Sequence, residues 1–175
     1  LTNKAVLLGS SALTTNLTQK LDEIVWAVSP RHDTMESLLG YLTDLAEEFL
    51  GAADIRTRIH FPDQLPNWSL PPGLRHNVFL ATKESLNNIV KHAQATEVHL
   101  RLVILPGAFQ LTIEDNGCGC SPLPQPPPTA TRPVHHGFGG LKERIESLGG
   151  KCSIDSAPER GTPVVFTVPV NGIEP

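Results

Sequence analysis

Lys83-Glu84-Ser85-Leu86-Asn87-Asn88-Ile89-Val90-Lys91-His92 is the stretch from which the fold is read. It lies within Leu74 to Ala93, a span without proline or glycine. At about 100° per residue, Val78, Phe79, Thr82, Ser85, Leu86, Ile89, Val90 and Ala93 share one broad arc. The spacing predicts a long helix with that arc against a core. Glu84, Asn88, Lys91 and His92 fall on a separate, narrow polar stripe. A carboxylate, an amide, an ammonium and an imidazole in line suit a polyanion carrying a metal ion. Asparagine offers an oxygen to Mg²⁺, and lysine offers a point charge to phosphate. The same groups also make an ordinary solvated face with a Glu84–Asn88 contact, and the stripe alone favours that plainer reading.

Upstream, Leu13, Leu17, Leu21, Ile24 and Val28 recur at helical steps, so residues 1–28 read as a helix. Leu17 to Val28 suit a coiled-coil seam, and Ser29-Pro30 ends it. Asp33 is placed to cap a second helix, with Glu36 completing a capping box. Leu38, Leu39, Leu42, Leu45, Ala46 and Phe49 form that helix's apolar face, which stops near Gly51. Ile55, Thr57, Ile59 and Phe61 alternate with polar residues as in a strand, and a loop with Pro62, Pro66, Pro71 and Pro72 follows.

Downstream, Val98, Leu100, Leu102 and Ile104 mark a strand. Pro106-Gly107 turns the chain, and Phe109, Leu111 and Ile113 mark the return. Residues 117–136 hold a loop in which six of the 16 prolines fall between Pro122 and Pro133; proline joins neither a sheet ladder nor a helix interior. Leu141, Ile145 and Leu148 then define a helix closed by Gly149-Gly150. Strands follow at Cys152–Ser156 and Thr162–Val170. The sum is a two-layer α/β sandwich: a mixed, mostly antiparallel sheet with helices on one face, plus an N-terminal helix.

Composition sets bounds. The chain has 175 residues, 39% of them hydrophobic and 18% charged, enough for one packed domain. Its net charge of -4 argues against nucleic acid as a partner. The longest apolar run, Val98 to Leu105, is broken by His99 and Arg101, so no transmembrane helix, signal peptide or membrane contact is expected. The chain opens on Leu1, as a piece of a larger protein would. Three cysteines fit a reducing compartment. Cys118-x-Cys120 lacks a second pair at zinc spacing.

Three further segments carry chemistry. Asp115 shares strand parity with Phe109, Leu111 and Ile113, so it points inward, where a carboxylate needs a donor; an adenine amino group would serve. A surface turn capped locally is the alternative. The glycines of Asp115-Asn116-Gly117-Cys118-Gly119 let backbone approach a ligand. Gly137-Phe138-Gly139-Gly140 opens a helix and can present N–H groups to phosphate. It is no Rossmann fingerprint, and no Walker A sequence occurs. Thr162, in Glu159-Arg160-Gly161-Thr162, can reach a ligand or water, or simply close a hairpin.

In this order and spacing the segments resemble the gyrase, heat-shock-chaperone, histidine-kinase and MutL ATPase superfamily over roughly residues 33–170. Residues 83–92 resemble its N-box, 115–119 its first glycine box, 135–144 with Leu148-Gly149-Gly150 its second, and Gly161-Thr162 its closing segment. Glu-x-Leu-x-Asn-x-x-Lys-His, and Leu21 to Arg31 as the end of a second dimerisation helix, bring it nearest to sensor histidine kinases of the nitrate- and lipid-sensor type. The resemblance implies the Bergerat fold, with residues 1–30 as dimerisation helix and linker and 31–175 as the ATP-binding domain. It implies ATP and Mg²⁺ as cofactors. Asp115 takes the adenine amino group, Thr162 reads adenine through water, and Asn88 holds Mg²⁺. Glu84 is the catalytic carboxylate, Lys91 and His92 contact phosphate or ribose, and Gly117, Gly119, Gly137 and Gly139 close loops on the nucleotide. The implied function is phosphoryl transfer to a histidine upstream of Leu1, with relay to a response-regulator receiver domain, in a cytoplasmic, homodimeric kinase; whether the parent is membrane-anchored is left open by the sequence. His32-Asp33 reads as a decoy in the linker. His135 replaces an expected lid glycine and Cys120 a bulkier apolar residue. A related ATPase, an anti-sigma-type serine kinase and a binding module without catalysis are the alternatives.

Overall fold

The computed structural model describes residues 33–119, 139–158 and 160–170. The expected N-terminal helix, its seam, His32, the Pro-rich loop from Cys120 and Gly137 lie outside them. Helix α1 (Met35–Gly51) is followed by β1 (Arg56–His60) and α2 (Pro72–Asn88), which runs into a π-helical turn (Ile89–Ala93). Then come β2 (Glu97–Leu105), β3 (Ala108–Asp115), α3 (Gly139–Glu146), β4 (Lys151–Ile154) and β5 (Thr162–Pro169).

The strands form one sheet in the order β1-β2-β3-β5-β4. β1 pairs with β2 in parallel, and the remaining pairs are antiparallel. Period-2 alternation decides the faces. Val98, Leu100, Leu102, Phe109, Leu111, Ile113, Val164, Phe166 and Val168 are buried in one core with the apolar sides of α1, α2 and α3. The other face is polar: Arg58 and Glu97 pair at 3.3 Å, and Arg101 pairs with Glu114. This is the expected two-layer sandwich. No helix among the described residues is long and apolar enough to cross a membrane.

Two local expectations fail. The cap of α1 is Thr34, not Asp33: its φ/ψ of -90°/156° is extended, and its side chain accepts the Ser37 N–H at 3.2 Å. Asp33 is drawn away instead, since Ser69 Oγ donates to its Oδ2 at 3.0 Å and Leu70 N–H to its carbonyl. A capping box on Asp33 and Glu36 is thereby excluded. Second, the long helix does not keep one period. The wider π turn after Asn88 rotates the later residues, and Val90 leaves the core to stand 40% exposed. β4, Lys151–Ile154, lies in the region where a strand around Cys152 to Ser156 is expected.

Candidate nucleotide site

The site begins at the end of β3. Burial alternates along that strand to its last residue, so Asp115 faces inward and is only 3% exposed. Its Oδ1 accepts the Gly117 N–H at 2.9 Å. Burial raises the carboxyl's pKa above the ordinary aspartate value, against the lowering pull of hydrogen bonds from Gly117 and Thr162 backbone. Thr162 is Asp115's register partner on β5; it is buried, and its hydroxyl lies 2.8 Å from Ser156 Oγ.

The turn after Asp115 is docked on the end of the long helix. Cys118 N–H donates to the Ala93 carbonyl at 2.8 Å. A Cβ at Gly117 would overlap that carbonyl oxygen, so only glycine allows the approach. Gly161, at φ +70°, donates its N–H to Gly117 O at 3.1 Å, and a Cβ there would overlap the Asp115 carbonyl. Asn116 Oδ1 accepts from Thr96 N–H and Glu97 N–H at 2.9 and 3.0 Å, which pins the turn to the start of β2. Gly119 has φ +64°, a left-handed conformation that suits glycine.

Glu84, at the other end of the polar stripe, meets the first turn of α3. A Cβ on Gly140 would lie 3.1 and 3.3 Å from its two carboxylate oxygens. α3 has no acidic residue in its own first turn, so Glu84 sets negative charge beside the positive end of that helix. Gly139 begins α3. From Glu84 to Ala93 the helix advances roughly 13 Å. The stripe therefore runs between two anchored ends, the Asp115 turn and the α3 N-terminus, with Asn88 between them. Lys91 and His92, beyond the rotation, are exposed.

Asn88 is the stripe residue with an unmet need. Its amide nitrogen is buried without a hydrogen-bond partner among the described residues. The two ends of an amide exchange by a flip, so an oxygen can occupy that place, as a hard cation requires. Among the described residues no cluster of three or more His, Cys, Asp or Glu could hold a metal. A cation at Asn88 would thus draw most of its ligands from phosphate and water.

Gly117, Gly119, Asp115 and Thr162 are gathered at one end and Glu84 and Gly139 at the other. Sequence reasoning placed Asn116, Gly140 and Gly161 within its motifs without giving them the contacts found here, and it missed the Ser156 hydroxyl beside Thr162.

The chain belongs to the family described as histidine kinase-, DNA gyrase B- and HSP90-like ATPases, whose model matches residues 73–172. Membership makes it an ATP-binding domain of that fold. It is 34% identical over 104 residues to the nitrate/nitrite sensor protein NarX of Escherichia coli K12, covering 59% of this chain and 16% of that protein. It is 26% identical over 129 residues to the sensor histidine kinase LiaS of Bacillus subtilis, covering 74% and 33%. The histidine kinase domain of the Erythrobacter litoralis EL346 blue-light activated kinase has the same fold, with a TM-score of 0.62 at 19% identity, over 86% of this chain and 74% of that one. The chain thus spans about a sixth of NarX and a third of LiaS.

Proposed function

We propose that this chain is the catalytic domain of a two-component sensor histidine kinase. It binds ATP with the adenine amino group on Asp115 and the phosphate chain along α2 toward α3. In the parent protein it transfers the γ-phosphoryl group to a histidine on an upstream dimerisation helix. The bond from the γ-phosphorus to its bridging oxygen breaks, and a bond to the ring nitrogen forms. The phosphoryl group then passes to a response-regulator receiver domain. On this reading residues 1–30 are dimerisation helix and linker, residues 31–175 the ATP-binding domain, and the parent is a homodimer with this domain in the cytoplasm.

The observation that carries the reading is the buried Asp115 carboxylate, braced by its own turn and docked on the helix that bears Glu84 and Asn88. Little covalent chemistry is asked of the protein in phosphoryl transfer; positioning and charge neutralisation dominate. Asp115 and Thr162 hold the base end. Gly117 and Gly119 allow the backbone to lie close to it, and Gly137 and Gly139 serve the phosphate end. Lys91 and His92 meet phosphate or ribose, and Glu84 orients a water or accepts a proton. Asn88 would hold Mg²⁺, which when bound neutralises phosphate charge.

Calorimetry with ATP, with and without Mg²⁺, tests binding on this chain. Incubating the full-length parent with ATP tests transfer. Acid-labile phosphate on an upstream histidine supports the reading; acid-stable phosphoserine, or label on His32, overturns it.

A further inference from the structure

The β2–β3 ladder is finished by a side chain. Asp115, the last residue of β3, is the register partner of Val98 on β2 and of Thr162 on β5. One residue on, Asn116 still donates its own N–H to the Glu97 carbonyl at 3.2 Å. There its amide takes over from the backbone. Oδ1 accepts both the Thr96 N–H at 2.9 Å and the Glu97 N–H at 3.0 Å, and Nδ2 donates to Thr96 Oγ at 3.0 Å. The main chain beyond Asn116 is thereby released from β2 and turns at once toward the helix. Cys118 N–H meets the Ala93 carbonyl, and Gly117 N–H bends back onto the Asp115 carboxylate at 2.9 Å.

Asn116 is exposed, so its contacts hold the turn and do not fill the core. They all go to the place where the chain leaves the π turn through Gln94 and enters β2. That place is itself anchored, since the Thr96 carbonyl accepts the Arg56 N–H at 3.0 Å. The turn that carries Gly117 is thus fixed from two sides, by Asn116 on β2 and by Cys118 on the helix. Gly117 N–H occupies Asp115 Oδ1, so the turn sets how the rest of that carboxylate is presented. A hydrogen bond weakens steeply as it leaves line. An amino purine donates to a carboxylate, whereas a keto purine sets an oxygen against it. A misaimed carboxylate therefore loses what distinguishes the two bases, while contacts to ribose and phosphate are untouched.

We propose that Asn116 is a positioning residue for base selection: by tying the Asp115 turn to the start of β2, it aims the carboxylate at an amino purine and against a keto purine. The proposal rests on the reading of Asp115 as the acceptor of the adenine amino group. Asn116 touches no nucleotide and acts through Asp115.

The test measures the affinity of the full chain for ATP and for inosine triphosphate, which differs in carrying the keto group, by calorimetry. The variants are Asn116→Ala, Asn116→Asp, Thr96→Val and Asn116→Ala with Asp115→Asn. In Asn116→Ala, ATP affinity is expected to fall about tenfold and inosine triphosphate affinity by less than about twofold, because only the bond to the charged acceptor is lost. Added to Asp115→Asn, the same change costs ATP binding less than about twofold more, since both act on one interaction. Asn116→Asp keeps an oxygen for both N–H groups, with the Thr96 hydroxyl able to donate in turn, and restores the ratio of the two affinities. Hydrogen exchange at the Thr96 and Glu97 amides quickens in Asn116→Ala and not in Asn116→Asp. Equal losses for the two nucleotides would mean a merely structural role and overturn the proposal. So would unchanged affinities, full additivity with Asp115→Asn, or failure of Asn116→Asp to restore the ratio. If Asn116→Ala does not melt cooperatively, Thr96→Val, which removes one contact of three, decides: a ratio lowered about twofold supports the proposal, and an unchanged ratio overturns it. A wild-type chain that binds both nucleotides equally sinks the Asp115 reading itself, whereas a wild-type preference for ATP that survives in Asn116→Ala sinks this proposal alone.

Discussion

Asp115→Asn separates what the buried carboxylate does for ATP from what it does to the fold. The wild-type group accepts from Gly117 N–H at 2.9 Å and from Thr162 backbone. A carboxylate has about four lone-pair sites, so acceptor capacity remains for an adenine amino group. Asparagine has one oxygen. Its NH₂ end must face either the backbone donors or the adenine donor. A hydrogen bond to a charged group contributes about 1.5–3 kcal/mol, so affinity should fall roughly 10- to 150-fold. Stability moves the other way. Because burial raises the folded pKa, the ionised form is worse placed in the folded chain than in the unfolded one. The charge therefore lowers stability at neutral pH. That cost disappears as pH falls through the raised folded value and then the unfolded value of about 3.9. Without nucleotide, the variant should melt at or above the wild-type temperature at neutral pH, with the gain shrinking toward acid. Calorimetry with ATP and thermal melts across that range measure both. Wild-type affinity in the variant would remove the adenine assignment. Weak affinity with a collapsed melting point would mean damage to the fold instead.

Gly117→Ala places a methyl group on the Ala93 carbonyl oxygen, an overpacking cost of about 1–3 kcal/mol; urea denaturation should show that loss, and unchanged stability would mean the turn is not docked there. Asn88→Ala should leave metal-free ATP binding intact and abolish the gain on adding Mg²⁺, as read by calorimetry with and without chelator; a retained gain would place the cation elsewhere. Burial raises the Cys152 thiol pKa while Cys118 is exposed, so alkylation followed by peptide mapping should label Cys118 in the folded chain and Cys152 only after denaturation.

What was legible in the sequence is what a local period can carry. Alternation along β3 put Asp115 on the inner face because every second residue of a strand shares a face, and the burial of Phe109, Leu111 and Ile113 agrees. The α1 face was legible for the same reason. The failures occur where a distant contact overrides a local rule. Asp33 is a good cap by residue type, yet Ser69 and Leu70 take it and leave Thr34 to cap. A 3.6-residue period put Val90 in the core, but the π turn rotated it out. Gly140 and Gly161 matter because of Glu84 and Asp115, 56 and 46 residues away along the chain, and no spacing within a window reports that.

The π turn also links the end of the helix to the site. A helix leaves its last carbonyls without intrahelical donors, and π turns often occur at functional sites. Here the turn ends at Gln94 in the left-handed region, φ 54°, and the Ala93 carbonyl is met by Cys118 N–H. The glycine turn therefore caps the helix that it helps to form a site with. Its successive backbone groups go to three partners: Gly117 N–H to Asp115, Gly117 carbonyl to Gly161, and Cys118 N–H to Ala93. Two of these hold the turn to Asp115 and to the residue before β5, and the third holds it to the helix, so sliding Asp115 along the helix would break the Cys118–Ala93 bond. Among the described residues the Glu84 end shows no such set of backbone bonds: there Gly140 lies against the Glu84 carboxylate, so on the proposed reading α3 is the element left to adjust to the phosphates while the sheet holds the Asp115 end.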